Sequence, residues 1–185
     1  MDTGLIVSRY ATALVRLVEE TGGGENVCAE ATALQKALKS VPGLGQALRG
    51  SSGLSPDDKV FLVRSALGGS ISDEFSRFIA LLARSGRDEY LPMILNSFIH
   101  KYYLRKNIRI ATLRTVGKPS EEELKRIAAL VKEKAGFDII INVETDPELI
   151  GGFVFDVDDY LVDSSVKRQL DLIRRQFVRK NRRIV

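Results

Sequence analysis

Asp146-Pro147-Glu148-Leu149-Ile150-Gly151-Gly152, followed after a short apolar run by Asp163-Ser164-Ser165-Val166-Lys167-Arg168-Gln169-Leu170, decides the fold of this chain. Proline fixes its own φ and biases Asp146 toward extended geometry, so the stretch opens on a rigid turn. Gly151-Gly152 allow sharp backbone geometry or close approach on the way into a strand. Phe153, Phe155 and Val157 then alternate as that strand. Asp158-Asp159 form a hairpin-like turn, and Tyr160-Leu161-Val162 return as a further strand. Asp163 or Ser164 caps a final basic helix, with Val166, Leu170, Ile173 and Phe177 on its inner face. No catalytic group lies at the centre of this stretch.

Working outward, Phe137, Ile139, Ile141 and Val143 alternate as another strand. Ahead of it, Ser120-Glu121-Glu122-Glu123 is a capping box for a helix carrying Leu124, Ile127, Ala128 and Val131, and Gly136 ends that helix. Ile108, Ile110, Thr112, Arg114 and Val116 mark one face of an extended segment, with Ala111 and Leu113 on the other. Before Asn107 the period changes from two to helical. Ser55-Pro56-Asp57-Asp58 and Ser72-Asp73-Glu74 are helix starts. Gly22-Gly23-Gly24, Pro42-Gly43, Gly68-Gly69 and Gly86 are stops, Asn26 can cap the second helix, and a short turn is expected near Leu44 to Leu48. A sixth helix is expected from about Asp88 to Lys106. The expectation is an α+β chain: a six-helix bundle over 1–106, then a small α+β domain over 107–185 with a short sheet and a terminal helix.

The 185 residues are 44% hydrophobic and 28% charged, a composition that folds. No apolar run approaches the ~20 residues that span a bilayer. The N-terminus lacks the basic and apolar regions of a secretion signal, so a cytoplasmic protein is the default expectation. The net charge is +4, which favours acidic partners. Most of the excess follows Val166, where eight Lys and Arg residues face only Asp171.

Catalytic constellations are absent from the pattern. Cys28 and His100 are the single cysteine and histidine, and nothing in the sequence brings them together. No strand precedes Gly22-Gly23-Gly24 and no Lys-Ser/Thr follows, and Gly117-Lys118 runs into Pro119, so neither is a phosphate loop. Asp156, Asp158, Asp159 and Asp163 suggest a calcium loop, but Tyr160, Leu161 and Lys167 stand where ligands and glycine are required. The residues therefore point to a two-part interaction protein with no cofactor and no metal.

Three signposts, in order, resemble those of the delta subunits of F-type ATP synthases, the bacterial counterparts of the oligomycin-sensitivity-conferring protein. They are Arg9-Tyr10-Ala11 with Leu14; Phe78-Ile79-Ala80-Leu81-Leu82 followed by Arg87, Leu91, Ile94 and Phe98; and Asp146 to Gly152 with Asp163, Ser165 and Leu170. Two departures are Arg77, where the family commonly has Asn, and Thr115-Val116-Gly117-Lys118-Pro119-Ser120, where it usually has Thr-Ala-x-Pro-Leu. Asp146, Pro147, Gly151, Gly152, Asp163 and Ser165 form the structural signature.

The resemblance implies a non-catalytic stator subunit that joins the catalytic head to the peripheral stalk and resists rotor torque. It would sit, without a transmembrane segment, on the cytoplasmic face of the membrane within the ATP synthase complex. The helical bundle would receive the N-terminal helix of an alpha subunit between its first and fifth helices, with Tyr10, Leu14, Leu17, Phe75, Ile79 and Leu82 as candidate contacts. The second domain would engage the C-terminal region of subunit b through Phe153, Phe155, Leu170, Ile173, Phe177 and the basic tail. Direct nucleic-acid contact is not expected. A basic nucleic-acid-binding adaptor is the alternative from another class, favoured by the terminal arginines and recognisable by salt-sensitive affinity.

Overall fold

The computed structural model describes residues 3–50, 53–158 and 160–181, with side chains described through 175. The chain divides into two compact units, Met1–Arg105 and Lys106–Val185.

The first unit contains α1 (Thr3–Thr21), α2 (Gly24–Ser40), α3 (Pro42–Ala47), α4 (Pro56–Ala66), α5 (Asp73–Arg84) and α6 (Leu91–Arg105). α6 packs against α1 and α2, and α5 packs against α4. Ala11, Leu14, Val15 and Val18 of α1 meet a core that includes Val27, Leu34, Phe75, Leu82, Ile94, Leu95 and Phe98, each at most 2% exposed. Burying such a side chain is worth roughly 1.5–3 kcal/mol. Lys101 fastens α6 to α1, donating to the Thr12 hydroxyl at 2.7 Å and the Ser8 hydroxyl at 2.9 Å.

Serine caps set the helix starts. Ser55 Oγ accepts from the Asp58 amide at 3.2 Å while the Asp58 carboxylate accepts from the Ser55 amide at 3.1 Å, a reciprocal capping box. At α5, Ser72 Oγ accepts from Phe75 N at 3.4 Å, and the Glu30 carboxylate of α2 accepts from both the Ser72 amide and hydroxyl at 2.6 Å. α4 is tied in by a buried ion pair between Lys59 and Asp88.

Three boundaries differ from the expectation. α2 starts at Gly24, not at an Asn26 cap, and Gly24 is buried there. A Cβ on Gly24 would stand 2.6 Å from Tyr102 Cε2, so glycine lets the start of α2 close on α6. Pro42 opens a short helix rather than leading into a turn, occupying the first-turn position where a missing N–H is harmless. Asp88–Tyr90 form one 3-10 turn, and α6 begins only at Leu91.

The second unit contains β1 (Ile108–Thr115), α7 (Glu121–Ala135), β2 (Asp138–Thr145), a 3-10 turn (Pro147–Leu149), β3 (Phe153–Val157), β4 (Tyr160–Asp163) and α8 (Val166–Asn181). The sheet order is β2-β1-β3-β4. β1 and β2 are parallel, which requires the crossover that α7 supplies. The β1–β3 and β3–β4 pairs are antiparallel. α7 starts on the Ser120–Glu123 capping box and stops at Gly136, whose φ of 75° is the left-handed conformation glycine favours. Ala111, Leu113, Phe155 and Val157 form the core of this unit, with Leu124, Ile127, Val131, Phe137, Ile139 and Ile141 packed against it. Asp159 of the expected hairpin turn lies outside the described residues; its neighbour Asp158 has φ 50° and pairs with Arg109 at 2.9 Å.

Candidate partner-binding surfaces

The Asp146–Leu170 signature is a joint, and each of its residue types has a geometric reason. The Asp146 carboxylate accepts from Glu148 N at 3.0 Å and starts the 3-10 turn in which Pro147 stands first. That turn buries Leu149. Gly152 has φ 76°, and a Cβ there would lie 2.2 Å from the carbonyl oxygen of Ser164. Ser164 N donates to Phe153 O at 2.9 Å and Val166 N to Gly151 O at 3.0 Å, so the strand entrance and the start of α8 are laced together by backbone. The cap of α8 is Ser165, not Asp163 or Ser164. Ser165 is 2% exposed and its Oγ accepts from Arg168 N at 3.2 Å. Asp163 supports it one step back, accepting from Ser165 N at 3.0 Å. Those Ser165 bonds, with Arg168 and Arg114 nearby, hold the Asp163 carboxyl below its ordinary value.

In the first unit, most of the expected alpha-subunit contacts belong to the core. Leu14, Phe75, Ile79 and Leu82 are at most 3% exposed, because the stripe that marks an amphipathic helix is the stripe its own bundle covers. Tyr10 and Leu17 are half-buried and remain reachable. The Tyr10 hydroxyl donates to Ser85 Oγ at 3.1 Å, which identifies the flank of α5 that faces α1. Leu81, one helical turn before Ser85, shares that flank and is 52% exposed. The rim of the α1–α5 seam is therefore Tyr10, Ala13, Leu17 and Leu81, with Arg9, Arg16, Arg77 and Arg84 exposed on the same two helices. Leu81 was missed because Leu81-Leu82 offers two leucines and only Leu82 falls on the stripe.

In the second unit, Phe155 is corrected to a core residue at 9% exposure, its ring on the α7 side of the sheet. Phe153 is 41% exposed, Leu170 51% and Ile173 49%. The expected inner face of α8 is thus uncovered at Leu170 and Ile173, while Val166 is partly buried beside Gly151, and Leu172 at 49% adjoins it. The Phe177 side chain lies outside the described residues. β4, at the sheet edge, exposes Tyr160, Leu161 and Val162 by half or more. By register Phe153, Tyr160 and Val162 lie on the α7 side of the sheet and Leu161 on the other, so the unit leaves apolar residues uncovered on both faces.

Cys28 is buried in α2, where burial pushes its thiol up, and burial followed by a hydrogen bond with Cys28 pushes the Tyr103 phenol up to about 12. His100 is exposed on α6. Among the described residues no three His, Cys, Asp or Glu side chains gather as a metal ion would require, and no helix is long and apolar enough to cross a membrane.

Residues 6–177 match the family described as the ATP synthase delta (OSCP) subunit. A protein of Phocaeicola vulgatus named ATP synthase subunit delta is 37% identical over the full length of both chains. The protein of that name from Bacteroides fragilis is 35% identical, again over the full length of both. The one from Lactobacillus delbrueckii subsp. bulgaricus is 32% identical over 90% of this chain and 92% of its own. Among solved structures, a chain of the Toxoplasma gondii mitochondrial ATP synthase hexamer shares the fold, with a TM-score of 0.70 and 20% identity over 93% of this chain and 97% of its own.

Proposed function

The chain belongs to the ATP synthase delta (OSCP) subunit family, and from that premise we propose how its two units divide the work of a stator. It is a structural, non-catalytic component of the peripheral stalk. The single observation that carries this is the family match running through both units, from residue 6 to residue 177. The first unit receives the N-terminal helix of an alpha subunit in the α1–α5 seam. Tyr10, Leu17 and Leu81 supply the apolar contact, and the arginines around them supply a charged rim. Leu14, Phe75, Ile79 and Leu82 act beneath, fixing the seam's shape rather than touching the partner. The second unit engages the C-terminal region of subunit b through Phe153, Leu170 and Ile173 with the exposed edge of the sheet, and the sequence adds Phe177 and the basic tail as expected contacts. As part of that complex, the chain is proposed to work at the cytoplasmic face of the membrane.

A part that holds without reacting gives a specific phenotype when removed. Membranes lacking this subunit are expected to release the catalytic head on washing at low salt and to lose ion-driven ATP synthesis. The freed head should still hydrolyse ATP at its ordinary rate. Adding back the purified chain should restore attachment and synthesis together. Loss of hydrolysis by the freed head would overturn the non-catalytic assignment.

A further inference from the structure

The sheet of the second unit packs its core on one face. On the other, Arg114 of β1, Val154 of β3, and Leu161 and Asp163 of β4 share the surface by register. The first turns of α8 border the same ground, and together they enclose a cleft of about 500 Å³. Four basic side chains line it, Arg114, Lys167, Arg168 and Arg175, against two carboxylates, Asp163 and Asp171. Two of the cations are engaged: Lys167 with Glu148 at 3.0 Å and Arg168 with Asp163 at 3.8 Å. Arg175 is exposed and has no ion pair among the described residues. Arg114 is different again. Its Nε is buried with no hydrogen-bond partner, and no other side-chain nitrogen or oxygen among the described residues is left so.

A buried donor without a partner carries a desolvation penalty of about 1–3 kcal/mol, so it calls for an explanation. Asp163 does not supply one. Its charge is near Arg114, but its oxygens serve the Ser165 amide and Arg168. A guanidinium offers a planar fork of donors that matches a carboxylate. The walls of the cleft are apolar as well: Leu149 and Val154 are buried in it, while Leu161 is 60% and Leu172 49% exposed.

We propose that this cleft takes a carboxylate side chain of an acidic amphipathic helix, the carboxylate docking on Arg114 and neighbouring apolar residues covering Leu161 and Leu172. The proposal rests on the reading that the second unit receives the C-terminal region of subunit b, and it adds the chemistry of the contact. The exposed leucines argue for a protein carboxylate on an amphipathic helix over a polyphosphate or a nucleic-acid strand, which would leave them uncovered.

The test titrates the full chain with a synthetic peptide of the C-terminal region of subunit b from the same organism. Arg114→Met keeps the aliphatic stem and removes the unpaired donor, so the variant should unfold at a temperature no lower than the wild type. Its affinity for the peptide is expected to fall roughly 10- to 100-fold. A peptide whose carboxylates are replaced by amides should bind the wild type as weakly, and should lose nothing further on Arg114→Met. If Arg114→Met does not fold, Arg175→Gln at the exposed rim should still weaken binding several-fold and flatten its salt dependence. Peptide binding untouched by either substitution or by the amide changes overturns the carboxylate site and leaves the stalk reading standing. No peptide binding by the wild type overturns both. Binding to phosphatidylglycerol vesicles that Arg114→Met abolishes, with peptide binding unchanged, overturns the site in favour of a lipid headgroup.

Discussion

At the scale of single residues, the C-terminal signature is explained by clearance and capping. Gly152→Ala would force a methyl against the Ser164 carbonyl at a positive φ, and backbone cannot step aside as a side-chain tip can. The variant is expected to lose at least about 2 kcal/mol of stability in denaturant unfolding. An unchanged midpoint would contradict the joint described here. Asp163 makes a pH prediction. Its folded pKa is depressed, first by the Ser165 bonds, so its stabilising contribution is complete above the unfolded aspartate value of about 4 and is lost as pH falls through the folded value. The gap in melting temperature between wild type and Asp163→Ala should therefore be full at neutral pH and narrow in acid below that value. A gap that widens in acid would refute the assignment. The glycine pair and Asp163 were legible in the sequence as a type of joint. That Ser165 is the cap was not, since three adjacent polar residues compete for one position and only the Arg168 amide decides among them.

At the scale of elements, the sequence carried the starts of α4, α5 and α7, missed those of α2, α3 and α6, and carried helix surfaces poorly. Ser55-x-x-Asp58 and Ser120-x-x-Glu123 are local chemistry, so the caps follow from spacing alone. An apolar stripe states that a face will be covered but not by what. On α1 and α5 the cover is the bundle itself, which withdraws Leu14, Phe75, Ile79 and Leu82 from the surface. On α8 the same kind of stripe stays open within its unit, at Leu170 and Ile173. The Lys59–Asp88 pair was likewise invisible, because it joins α4 to a 3-10 turn far along the chain. These positions separate by experiment. Leu14→Asp buries an unpaired charge and is expected to unfold the first unit at room temperature, seen by circular dichroism. Leu81→Asp should fold normally and weaken alpha-peptide binding about tenfold or more. Full affinity in a folded Leu81→Asp variant would move the docking site away from the α1–α5 seam.

At the scale of the whole molecule, the chain is a pair of units, each with its own core and each leaving apolar surface uncovered along a basic border. That design suits a part that holds two other parts together. Among the described residues Cys28 is buried in α2 and His100 exposed on α6, and the net charge of +4 favours acidic partners. The fold class was readable because the change from helical to alternating periodicity is a property of the sequence alone. The partners were not, because a docking surface and a core surface draw on the same residues. The most direct measurement of the central claim is a calorimetric titration of the purified chain with a synthetic peptide of the alpha subunit's N-terminus from the same organism. Saturable binding with one peptide per chain, reduced by Leu81→Asp and unaffected by Arg114→Met, is the predicted result. A well-folded chain that takes up no peptide at moderate salt, or takes it up equally when Leu81 is charged, would contradict it.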